Sequence, residues 1–86
     1  MPRELALAHA LSTVRAQQGL SQLQLALAMG AGSTSYLSKL ENGRCRNPGR
    51  LFLRQYVAAY GILGRPLAPA QRDLIANAVL ALADAA

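Results

Sequence analysis

Glycines punctuate this chain at intervals that leave room only for short helices joined by tight turns. Gly19, Gly30 with Gly32, Gly43 and Gly61 fall between segments dense in alanine and leucine, the residues that cost least in a helix. Glycine suits the position just past a helix because it enters the left-handed backbone region freely. No window alternates apolar and polar residues for long enough to read as a strand. The expectation is an all-α fold of five helices.

The first helix is expected over about 4–18, with Leu7, Leu11 and Val14 on one face. The second, about 22–29, starts after Ser21, whose hydroxyl can take an orphan backbone N–H; Leu25, Ala26 and Met29 face inward. The third, about 34–41 with Ser33 as its cap, is short and polar, and Leu37 and Leu40, with Tyr36 as a further candidate, turn inward. The fourth, about 51–60, carries Leu53, Val57 and Tyr60 on one face, Tyr56 beside it and Gly61 closing it. The fifth runs from Pro69, a residue suited to the first helical turn, to about 84. The chain is expected to divide into a main helical domain over 1–65 and a C-terminal helix over 66–86 that packs on it and pairs copies.

Charge is concentrated. The formal net charge is +5, and Lys39, Arg44, Arg46, Arg50 and Arg54 against the single acid Glu41 place +4 of it in sixteen residues. Such a run suits a solvated face or, more sharply, a patch that holds phosphates.

From Gly19 to Gly61 the order is short helix, tight turn, short polar helix, basic loop, helix. Gly19-Leu20-Ser21-Gln22, Leu25-Ala26, Met29-Gly30, the run from Tyr36 to Gly43, Asn47-Pro48 and Tyr60-Gly61-Ile62 together resemble the helix-turn-helix domain of the lambda-repressor-like family. The resemblance covers about 11–62 and implies sequence-specific binding to double-stranded DNA. One departure stands out: Gly30-Ala31-Gly32-Ser33 carries one residue more than the family pattern before the third helix. That leaves open which of Ser33, Thr34 and Ser35 faces the bases.

A helix entering the major groove needs an apolar back and a front of short polar side chains. Ser33, Thr34, Ser35, Ser38 and Lys39 supply that front and are the expected base contacts. Ser21, Gln22, Asn42, Arg44, Arg46, Asn47 and Arg50 are the expected phosphate contacts, Gln22 helped by the backbone N–H groups of its helix end. The resemblance also implies that Arg15 pairs with Glu41 and locks the third helix against the first.

Four carboxylates, none close to another in sequence, one histidine and one cysteine offer no catalytic constellation, metal-ligand cluster or intrachain disulfide. No enzyme, cofactor or metal is expected. No apolar run reaches the roughly 20 residues of a membrane span, and a cytoplasmic protein is expected. The fifth helix is apolar around most of its girth, so Leu74, Ile75, Ala78, Val79 and Leu82 are expected to join two copies into a dimer. The alternative is an antitoxin or another interaction module that docks a partner protein on this helix.

Overall fold

The computed structural model describes residues 3–44 and 50–83, and side-chain surroundings over 5–44 and 51–81. Cys45, Arg46 and Asn47 lie outside the described residues, as do the side chains of Arg50 and Leu82. The elements are α1 (Arg3–Gln17), α2 (Gln22–Ala28), α3 (Ser35–Glu41), α4 (Arg50–Ile62) and α5 (Pro69–Ala83). Among the described residues there is no strand, as the all-α expectation required.

The first four helices stop in the same way. Gly19, Gly30, Gly43 and Gly64 take φ between 69° and 80°. The residue after each donates its N–H to the carbonyl five positions back: Leu20 to Arg15, Ala31 to Ala26, Arg44 to Lys39 and Arg65 to Tyr60, at 2.8–3.2 Å. These bonds satisfy carbonyls that a helix end would otherwise leave bare. The fourth stop corrects an expectation. Gly61 does not close α4; the helix passes through it and ends before Gly64. Gly61 is exposed, with nothing close to where a Cβ would sit, so it costs α4 only the intrinsic penalty of a helical glycine, about 1 kcal/mol.

α1 packs against α5 and α3, and α2 against α4 and α3. The core between them holds Leu7, Leu11 and Val14 of α1, Leu25, Leu37 and Leu40 of the helix-turn-helix, and Ile75 and Ala78 of α5. Its largest members are Tyr56 and Tyr60, both fully buried. The inward face of α4 is therefore Tyr56, Ala59 and Tyr60, with the partly buried Phe52 and Val57 packed against the core beside them, while Leu53 stands on the flank. Helical spacing places Leu53, Val57 and Tyr60 on one face with Tyr56 beside it; Tyr60 and Val57 do pack on the core, Tyr56 joins them fully buried, and Leu53 does not. The buried phenols are acceptable because their hydroxyls are satisfied: Tyr56 Oη donates to the Leu11 carbonyl at 2.9 Å, and the Tyr60 hydroxyl, 2.8 Å away, donates to Tyr56 Oη, whose only proton is spent. Burial pushes the Tyr60 phenol up to about 12 and drives that of Tyr56 well above its ordinary value.

α5 docks through Gln71. Its Oε1 accepts from Ala68 N at 3.0 Å, closing the first turn of α5, and from Gln18 Nε2 at 2.9 Å; its Nε2 donates to Gln17 Oε1 at 3.0 Å. One side chain thus caps its own helix and ties that helix to the end of α1. The Arg65 guanidinium adds a bond to the Gln18 carbonyl.

Candidate nucleic-acid interface

α2 opens with a reciprocal cap. Ser21 Oγ accepts from Gln24 N at 3.1 Å, and Gln24 Oε1 accepts from Ser21 N at 2.9 Å. Ser21 is exposed and Gln22 partly so, which leaves this helix end open to an anion.

The turn between α2 and α3 runs from Met29 to Thr34. Ala31 packs against the core, while Gly32 and Ser33 are exposed. α3 begins at Ser35, one residue later than expected, and its cap is Thr34, whose side chain makes no capping hydrogen bond. Ser33 Oγ instead accepts from Ser35 N at 3.3 Å. Ser33 thus supports the helix start from one position further out.

With α3 placed, the face it offers follows from the 100° turn per residue. Leu37 and Leu40, each 2% exposed, anchor the back. Ser35, Lys39 and Asn42 follow at i, i+4 and i+7, all exposed, with the partly exposed Ser38 and Thr34 beside them. Asn42 Nδ2 lies 3.4 Å from Ser38 Oγ. Arg44 is exposed just past the helix. The outward stripe therefore mixes expected base contacts (Ser35, Lys39) with an expected phosphate contact (Asn42). Thr34 is turned partly away. Tyr36, a candidate for the interior, is 43% exposed and sits edge-on against Phe52, ring centroids 4.7 Å apart at 67°. It borders the outward stripe of α3 and was not among the expected contacts. Spacing does not distinguish an aromatic that fills a core from one that borders it.

A clamp holds α3 in this orientation. Arg15 donates from Nε to both Glu41 carboxylate oxygens at 3.1 and 2.9 Å, from Nη2 to Oε1 at 2.7 Å, and from Nη1 to the Leu20 carbonyl at 2.9 Å. The Glu41 side chain is 4% exposed and that of Arg15 21%. The hydrogen bond to Glu41, and behind it the charge of that carboxylate, raises the guanidinium pKa further. Two planar groups joined this way fix both distance and orientation between α1 and α3.

On α5, Ile75 and Ala78, expected between copies, are 4% and 9% exposed within the single chain. They are committed to its own core because α5 lies along α1, so little of either is left for a second copy. Leu74, 41% exposed, remains on the outer flank. Val79 is half-buried and borders a groove against α4.

Among the described residues no group of three or more His, Cys, Asp and Glu comes together, and no helix is long and apolar enough to cross a membrane. A family model described as a helix-turn-helix domain matches residues 6–71. No curated protein and no solved structure is significantly similar to the chain.

Proposed function

The chain belongs to the helix-turn-helix domain family, of the lambda-repressor-like kind, and from that premise we propose that it represses transcription by occupying a specific operator. The observation that supports this reading best is the stripe of Ser35, Lys39 and Asn42 on a helix anchored by Leu37 and Leu40 and clamped through Arg15 and Glu41. Polar side chains such as Lys, Asn and Ser on a firmly held helix suit base reading in the major groove. Ser21 and Gln22 at the start of α2 and Asn42 and Arg44 after α3 would hold the phosphates on either side.

One helix of seven residues reads few base pairs. Two copies whose α3 helices lie about 34 Å apart would read an inverted repeat one DNA turn in length. Leu74, on the outer flank of α5, is the apolar side chain best exposed for pairing the copies. Such a protein acts by binding, without catalysis or cofactor. Selection of bound duplexes from a random pool tests the reading: an enriched inverted repeat with half-sites one turn apart supports it, and a pool that stays random contradicts it.

A further inference from the structure

Between α4 and α5 the surface opens into an apolar groove of about 690 Å³, bordered by Leu53 and Val57 on one side and Ala76, Val79 and Leu80 on the other. Leu80 is 62% exposed. A cation stands at the groove from each helix, Arg54 from α4 and Arg72 from α5. Both are exposed, and neither is in an ion pair among the described residues. The chain has four carboxylates against nine lysines and arginines, and that of Glu41 is committed to Arg15. Among the described residues, the groove is therefore an apolar trough flanked by two arginines that no carboxylate pairs.

We propose that this groove docks an acidic amphipathic helix of another protein. Such a helix lays apolar side chains spaced i, i+3, i+4 and i+7 into a trough, and carboxylates along its flanks meet Arg54 and Arg72. A second copy of this chain is the poorer occupant. It carries the same +5 charge, and a symmetric contact across the groove would bring two pairs of arginines together. The groove uses no residue of α2 or α3, so filling it leaves the reading helix free. Val79 and Leu74 lie about 140° apart around α5, so the Leu74 flank also stays open for pairing. The proposal goes beyond operator binding and does not depend on it.

The test uses the full chain and three probes. The first is a capped helical peptide with leucines at every third and fourth position and glutamates on both flanks. The second is its twin with lysines for glutamates, and the third is vesicles of phosphatidylglycerol. Fluorescence anisotropy should show the acidic peptide bound at least about tenfold more tightly than the basic one, the gain expected from two surface ion pairs made and two repulsions avoided. Arg54→Glu with Arg72→Glu should reverse that order, and Leu80→Asp should weaken the acidic peptide. Equal binding of the two peptides would overturn the proposal, as would tighter binding to the vesicles than to the acidic peptide. So would loss of self-association on Leu80→Asp while Leu74→Glu leaves it intact, because the groove would then belong to a second copy.

Discussion

The α3 side of the molecule and the α4–α5 side solve the same problem, a surface that a small core must hold in place, in opposite ways. On the α3 side every anchoring group is matched within the chain: Leu37 and Leu40 are buried, and Glu41 is gripped by Arg15. What projects outward is mostly polar: Ser35, Lys39, Asn42 and Arg44. On the α4–α5 side apolar flanks stand open and two arginines lack ionic partners among the described residues. The first surface is held in place by contacts within one copy. The second carries apolar area and two arginines that no described residue covers or pairs. The contrast teaches that rigidity and incompleteness mark different jobs in the same small domain.

Removing the clamp should have the largest effect. Glu41→Ala leaves a mostly buried guanidinium without its counter-ion; because Arg15 retains some contact with water, the expected loss is about 2 kcal/mol, or a fall in Tm of about 10 °C for a domain of this size. Calorimetry would show this, and melting at an unchanged temperature would mean that α3 is held by its leucines alone.

Base reading comes next. Lys39→Ala and Ser35→Ala should each cost about 1–3 kcal/mol at particular base pairs and nothing at others, while melting stays unchanged. Uniform weakening across all sequences would turn these side chains into phosphate contacts.

The buried tyrosines supply a pH signature. Their folded-state pKa values are raised, to about 12 for Tyr60, so the stability that they contribute is intact below the ordinary phenol value near 10. It is lost as pH rises from there toward about 12, at up to about 1.4 kcal/mol per pH unit for each phenol. Denaturant titrations across that window should show the decline, and Tyr60→Phe should make it shallower. A profile that Tyr60→Phe leaves unaltered would contradict the burial of this hydroxyl.

The smallest effect belongs to the open side. Leu80→Ala should change the stability of the isolated chain by less than about 0.5 kcal/mol, since the side chain is mostly in water already. A larger loss would show that the groove is closed in solution and would remove the contrast.

Much of this was legible in the residues themselves. Ser21, Pro69 and three of the four stop glycines announced their helix ends, because capping chemistry is local. Arg15 and Glu41 came from a family pattern and are joined as it implied. What was illegible is what tertiary packing decides. Gly61 and Gly64 look alike in sequence, and only the second adopts the left-handed turn. Tyr56 outranks Leu53 for the interior because the Leu11 carbonyl is there to receive its hydroxyl. Ile75 and Ala78 face inward because α5 lies along α1, a placement that helical periodicity cannot contain. The start of α3 at Ser35, one residue after the position expected from the sequence, is likewise set by the fold.

The central claim is that α3 reads sequence. The most direct measurement compares the Kd for a selected operator with that for a random duplex of equal length at physiological salt. A ratio of about a thousandfold or more is expected, with Lys39→Ala narrowing it. Equal affinities, both falling together as salt rises, would contradict it and leave the chain a general phosphate binder.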